Sequence, residues 1–243
     1  SPAAEETALM HPLSIPPEIV ERVIARCGRA HPFEELVPER TAFVVIDLQL
    51  GFMDPAISHA YCPMAERIVP AVNRLAAAVR ETGGGVFWVQ NTHDDSCDTA
   101  WSVMQRMATP EARARRVAAM TEGAPGHALW PGLDVRAEDE RVLKRRFSAF
   151  IQGSSDLPQR LRARGFDTVL IGGTVTNVCC ESSARDAMML DFRTVMVADC
   201  NAANTDAEHN ASLAAFWNIF GDVMTSGHVI ERLRAGAAGR QAA

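Results

Sequence analysis

Short β-branched runs alternating with amphipathic helical stretches predict an α/β chain, with three layers (α/β/α) around a central, mainly parallel sheet of six strands. Three observations carry this expectation. About six short apolar runs are separated by stretches long enough for helical crossovers, the pattern of a parallel sheet covered on both faces. Runs such as Ala42-Phe-Val-Val-Ile46 are continuously apolar, as strands buried on both sides require. Several runs end at a polar residue or at paired glycines, the end at which an open parallel sheet binds its ligands.

The elements follow in order. The first forty residues read as an arm (1–40), in which Pro16 and Pro17 precede a helix from Glu18 to Cys27 with Ile19, Val20, Val23 and Ile24 on one stripe. The first strand ends at Asp47. A helix from Met64 to Glu81 places Ile68, Val72, Leu75 and Val79 on one face, and Gly83-Gly-Gly85 closes it. Val86-Phe-Trp-Val89 is the second strand. The polar stretch Asn91 to Asp98 then leads to a helical region broken near Pro110.

Glu122 to Asp134, with two prolines and three glycines, reads as a long surface excursion. Arg141-Val-Leu-Lys144 is a short strand, Leu157–Arg164 a helix, and Thr168-Val-Leu-Ile171 a strand running into Gly172-Gly173. Cys179–Leu190 is a helix, Thr194–Ala198 a strand, Asp206–Phe220 a helix, and Asp222–Met224 a last strand before a terminal helix. The domain is expected over 41–234, and the Ala/Gly-rich segment 235–243 as a flexible tail.

Composition excludes several classes. Of 243 residues, 47% are hydrophobic and 22% charged, which argues against disorder. The net charge of −6, with short basic stretches at Arg113-Ala-Arg115-Arg116 and Lys144-Arg145-Arg146, argues against nucleic-acid and anionic-membrane partners. No apolar run reaches the roughly 18 residues of a membrane span. Six cysteines without a C-x-x-C pair suit reduced thiols, and with no signal-peptide pattern the expected location is cytoplasmic.

Asp47, Lys144 and Cys179 stand at corresponding ends of three strands, the last after the loop Gly172–Val178. A carboxylate, an ammonium and a thiol together suit nucleophilic acyl chemistry: the carboxylate takes the thiol proton and the ammonium favours the thiolate. Taken singly, each has an ordinary reading: a turn aspartate, a solvated lysine, a small buried cysteine. Their joint placement sets them apart. Cys180, Ala184, Ala187 and Met188 share one helical stripe, so Cys180 belongs to the core, whereas Cys179 opens the helix about 100° away. The first-turn N–H groups there are expected to lower its pKa and to hold an oxyanion.

Val44-Val-Ile-Asp47-Leu-Gln49, Val142-Leu-Lys144-Arg-Arg-Phe-Ser148-Ala-Phe150 and Gly173-Thr-Val-Thr176-Asn-Val-Cys179-Cys-Glu-Ser-Ser-Ala184-Arg-Asp186 resemble the signatures of the isochorismatase-like cysteine hydrolases. The resemblance runs from about Thr41 to Leu233 and is most specific around the cysteine. It implies an isochorismatase-like, Rossmann-like fold with Asp47, Lys144 and Cys179 as catalytic triad. It also implies a cis peptide at Thr174–Val175, with the backbone N–H groups of Val175 and Cys179 forming an oxyanion hole.

Departures narrow the choice within the family. True isochorismatases, which cleave a vinyl ether, typically lack the cysteine present here. Nicotinamidases hold a metal through an Asp-x-His pair and a further His, for which Phe52-Met-Asp54-Pro offers no counterpart, so no metal or cofactor is expected. The implied activity is that of the metal-independent amidohydrolases, such as N-carbamoylsarcosine and ureidoacrylate amidohydrolase. These act on a small carbamoyl, ureido or primary-amide substrate, with water as second reactant and ammonia as product. Gln49, His93, Trp101, Phe150, Thr176 and Asn177 are candidate substrate-binding residues, and a homodimer or homotetramer is the expected assembly. Two rival readings stay open: vinyl-ether hydrolysis through Asp47 with no covalent step, and a thiol redox or binding protein working through Cys179-Cys180.

Overall fold

The computed structural model describes residues 10–241, so the first nine residues of the expected arm and the last two of the expected tail lie outside the described residues. The strands are β1 (Thr41–Ile46), β2 (Gly85–Asn91), β3 (Glu140–Lys144), β4 (Thr168–Thr174), β5 (Arg193–Ala202) and β6 (Asp222–Met224). The α-helices are α1 (Pro17–Cys27), α2 (Leu50–Met53), α3 (Val69–Glu81), α4 (Asp95–Ala100), α5 (Ser102–Arg106), α6 (Pro110–Met120), α7 (Leu157–Ala163), α8 (Glu181–Met189), α9 (Asp206–Ile219) and α10 (Ser226–Gln241). The six strands form one sheet in the order β3-β2-β1-β4-β5-β6, and every pairing is parallel.

The continuous apolar runs are sorted by the two-residue period of the strand. In β1, Phe43 and Val45 face one core, shared with Val72, Leu75 and Val79 of α3 and Val229 and Leu233 of α10. Ala42, Val44 and Ile46 face the other, with Leu157 and Leu161 of α7, Ala184 and Ala187 of α8 and Leu213 and Phe216 of α9. This is the expected three-layer architecture.

The strand order reverses between β1 and β4, which makes the crevice above their carboxyl ends the natural ligand site. Register brings the functional ends level: Ile46 pairs with Val89 and with Gly173, and Asn91 pairs with Lys144. Gly173 is indispensable to that alignment, because its φ is +124° and a Cβ would overlap the Ile46 backbone. Gly173→Ala should therefore cost roughly 2–5 kcal/mol from strain and overpacking. Urea unfolding checks this, and an unchanged midpoint would refute the close approach.

Several elements differ from the sequence expectation. Helix α3 begins at Val69, not Met64, because Pro70 suits only a first turn. Strand β5 runs four residues past Ala198 through a register shift opposite Ile171–Gly173. Asn201 bridges the irregularity, donating from Nδ2 to the carbonyls of Ile171 (2.8 Å) and Val197 (2.7 Å). The expected surface excursion is instead stitched beneath the exit of β1. Leu50 N donates to Ala128 O and Trp130 N to Leu48 O, and His127 is buried.

The segment from Ala235 is helical through Gln241, and Gly236 lacks the Cβ that would collide with the Leu36 carbonyl. At Gly236 the missing side chain serves close packing. On α1 only Val23 is buried, and Ile24 of the expected stripe is 45% exposed. The arm lies on its own domain, with His11 hydrogen-bonded to Asp206 and Trp217 Nε1 donating to Ala30 O.

Candidate active site

Asp47 follows β1 with φ of +57°, a left-handed conformation that aspartate tolerates better than most residues. Its N–H bonds Val89 O across the sheet, which turns the side chain off the strand end. Lys144 closes β3 and is fully buried, as is Asp47. The Lys144 ammonium lies 2.8 Å from Asp47 Oδ2, 3.6 Å from Cys179 Sγ and 3.0 Å from Arg146 O. An ammonium has three donors, and each has a partner here. The structure thus brings together the carboxylate, ammonium and thiol drawn from three strands, although the lysine sits in a run of basic residues that ordinarily reads as a solvated face.

Cys179 is the fourth residue of a π-helical turn, Thr176–Cys180, that leads directly into α8. The helical segment therefore starts three residues before the expected opening at Cys179, and π-turns are frequent at functional positions. Thr174–Val175 is a cis peptide. Val178 N and Cys180 N both bond Val175 O, tying the turn to that peptide. Cys180 is fully buried among the α7–α9 core side chains. Cys179 and Val175 line a cavity of about 300 Å³. All cysteines among the described residues are free thiols.

The electrostatics correct one expectation. Burial pushes the Cys179 thiol well above its ordinary range, with Lys144 opposing and Asp47 adding to the rise. Desolvation therefore outweighs the first-turn N–H groups expected to lower it. Burial also pushes the Asp47 carboxyl up, against the pull of Lys144. Desolvation works against the Lys144 ammonium, but Asp47 and the Cys179 sulfur prevail and hold its pKa above the usual lysine value. Burial thus favours the neutral thiol beside the close Lys144–Asp47 pair, and raised basicity suits the Asp47 carboxylate to accept the thiol proton.

The candidate binding residues divide. His93 and Trp101 line the cavity. His93 Nε2 lies 3.8 Å from Asp98, and burial draws its pKa down. The Trp101 ring packs edge-on to Phe147 at 4.9 Å. Gln49, Phe150, Thr176 and Asn177 are not among the lining residues. The Gln49 amide clamps backbone instead, donating to Asn91 O and His127 O and accepting from Asn91 N. Phe150 packs on Phe192 in the core. Thr176 Oγ1 pairs with His209 Nδ1 at 3.0 Å, towards α9.

Sequence reasoning missed Phe147, His59 and Arg116, which do line the cavity. A signal for the last existed: Ala112, Arg116, Ala119 and Met120 fall at i, i+4, i+7 and i+8 of one helix, the stripe that turns inward. Among the described residues no group of three or more His, Cys, Asp or Glu side chains converges as a metal ligand set would. No helix among them is long and apolar enough to cross a membrane.

Comparison with known proteins adds to this geometry. The isochorismatase domain matches residues 41–227. Ureidoacrylate amidohydrolase RutB of Methylobacterium radiotolerans is 29% identical over 202 residues, covering 76% of this chain and 76% of that protein. A cysteine hydrolase from Pseudomonas syringae pv. phaseolicola superposes with a TM-score of 0.75 at 28% identity, over 83% of this chain and 96% of its own. N-carbamoylsarcosine amidase from Thermoplasma acidophilum gives a TM-score of 0.61 at 25% identity, over 77% of this chain and 96% of its own.

Proposed function

The chain belongs to the isochorismatase family, and on that premise we propose that it is a cysteine-dependent amidohydrolase acting on a small carbamoyl, ureido or primary-amide compound. The observation that carries this reading is the buried contact of Lys144 with both Asp47 and Cys179 at a cavity wall formed by Cys179 itself. Likeness to an amidase and to an amidohydrolase supports the choice of bond.

In this reading Asp47 takes the Cys179 proton as sulfur attacks the amide carbon, and the C=O pair moves onto oxygen. The backbone N–H groups of Val175 and Cys179 receive that oxyanion. Collapse of the intermediate breaks the C–N bond, and Asp47 returns the proton so that nitrogen leaves as ammonia. Water, deprotonated by Asp47, then attacks the thioester, and the acid departs as the thiol is restored. Lys144 stays protonated throughout and keeps the carboxylate and sulfur in place.

Ammonia release across a panel of small ureas, carbamoyl amino acids and primary amides tests the proposal. No release from any member would overturn it. Activity is expected to survive dialysis against EDTA, since the cavity presents no convergent ligand set. Loss on dialysis with recovery on adding zinc or manganese would instead point to His93 with Asp98, the carboxylate nearest its ring. The sequence alone would have pointed to Asp94 or Asp95. Asp94, however, already accepts from Ser96 and pairs with Arg145.

A further inference from the structure

Two histidines that the mechanism does not use stand in line behind the turn that carries Cys179. His209 of α9 is 1% exposed. Burial, with His11 adding to it and Asp206 opposing, lowers its pKa to about 3, so the ring is neutral at pH 7. Its Nδ1 lies 3.0 Å from the hydroxyl of Thr176, which is fully buried and is the first residue of the π-helical turn. Ser212 shares a face of α9 with His209, three residues on, and donates to Glu181 Oε2 at 2.6 Å. Glu181 directly follows the same turn. Helix α9 therefore holds the turn at both ends.

His11 of the arm backs His209. The two rings stack at 4.5 Å and 20°, and the His11 side chain is 2% exposed. Its Nδ1 lies 2.6 Å from Asp206 Oδ1, and a carboxylate only accepts, so the ring donates there. Its Nε2 lies 3.0 Å from Ala203 N and 3.1 Å from Ala203 O, just past the end of β5. The ring is thus pinned at both nitrogens and turns its face to His209.

A buried hydroxyl–imidazole pair is a poor source of stability, because both groups lose water to form it and apolar groups of the same shape serve about as well. What it supplies is direction. The hydrogen bond fixes the Thr176 side chain, and with it the entry to a five-residue turn whose fourth residue is Cys179. A small rotation at Thr176 is carried to the 3.6 Å contact between Cys179 Sγ and the Lys144 ammonium.

We infer that His209, clamped by His11 of the arm, is a positioning residue: through Thr176 it fixes the turn that presents the Cys179 sulfur to Lys144 and the Val175 and Cys179 N–H groups to the oxyanion. This rests on the reading of Cys179 as the nucleophile and gives the arm a part in the chemistry. A turn released from His209 draws the sulfur off its ammonium contact without carrying it out of the protein. The attraction of Lys144, which favours the thiolate, then weakens, while the burial that disfavours it stays.

The test follows labelling of Cys179 by iodoacetamide at pH 8, located by mass spectrometry, at a temperature at which circular dichroism shows each variant folded. Thr176→Val and His209→Phe each remove one end of the hydrogen bond. Each should slow labelling by about 3-fold or more, a fraction of the roughly 10- to 1,000-fold that a neighbouring charge exerts on ionisation. The double variant should be no slower than the slower single one, because both lose the same bond. Thr176→Ser, which keeps the hydroxyl, should label at close to the unaltered rate, and His11→Ala should show part of the slowing. Unchanged or faster labelling in either single variant, losses that multiply in the double one, or Thr176→Ser as slow as Thr176→Val would overturn the inference. His11→Ala at the unaltered rate would overturn the arm's part in it. No label on Cys179 of the unaltered chain would overturn the nucleophile and the positioning role together. Ammonia release by the unaltered chain reads the amidohydrolase proposal separately. Its absence beside slowed labelling in the variants sinks that proposal alone, and its presence beside unchanged labelling sinks the positioning role alone.

Discussion

Cys179→Ala should lower ammonia release by at least ~10³-fold, the scale of losing a covalent nucleophile, whereas Cys180→Val should retain most of it. The two thiols are adjacent in sequence and both buried, so composition and burial do not separate them. What separates them is orientation on the helical turn. Cys179 borders the cavity beside Val175 and lies 3.6 Å from the Lys144 ammonium, whereas Cys180 packs among the side chains of α7–α9. Valine is close to cysteine in volume and apolar, so the core should absorb the exchange for less than about 1.5 kcal/mol. An alkylating reagent that inactivates the unaltered chain should carry its label on Cys179. Equal loss in the two variants would sink the assignment. Retention of hydrolysis by Cys179→Ala towards a vinyl ether would revive the non-covalent reading, in which Asp47 acts alone.

The parts of this molecule that were legible in the sequence are those set by a strong local period. Strands β1, β2 and β4 announce themselves because burial on both faces leaves a continuous apolar run, and the residues following such runs then become candidates for chemistry. Asp47 became a candidate that way, Lys144 as the polar end of the short run Arg141-Val-Leu-Lys144, and Cys179 by opening a helix after the Gly172–Val178 loop, off the apolar stripe that carries Cys180. Tertiary demands hid the rest. Strand β5 is longer than its apolar run because Asn201 supplies hydrogen bonds where the ladder shifts register. Helix α10 outlasts its apolar pattern because Gly236 lies against the arm. Gln49 was a candidate substrate-binding residue, but its amide holds the backbone of β2 and of the loop at His127. Arg116 went unread because a basic stretch on a helix suggests solvent, although Ala119 and Met120, its neighbours at helical spacing, are buried.

Asp47 and Lys144 should prove separable by experiments in which their effects on turnover agree while their effects on thiol ionisation oppose. Asp47→Asn should cut kcat by roughly 10²–10⁴-fold, the usual cost of a missing general acid–base. Lys144→Met, which keeps the length and removes the charge, should also be severely impaired. Removing one partner of a buried pair typically destabilises by about 3–5 kcal/mol, so both variants need a circular dichroism melt to fix a temperature at which they are folded. The sign for the thiol follows from its surroundings. Lys144 lowers the Cys179 pKa, and Asp47 raises it. Alkylation proceeds through the thiolate, so its rate rises with pH towards the thiol pKa. Without Lys144 the pKa climbs further and the profile moves to higher pH. Without Asp47 the ammonium acts on the sulfur unopposed and the profile moves to lower pH. The Asp47→Asn chain should thus hold a more ionised nucleophile than the unaltered chain and still be the slower enzyme, because no group remains to carry the proton to the leaving nitrogen. If the Lys144→Met profile overlays that of the unaltered chain, the ammonium is not in electrostatic contact with the sulfur, and the three-residue site is wrong. If Asp47→Asn alkylates at lower pH and keeps full turnover, the carboxylate only tunes the thiol and some other group moves the proton.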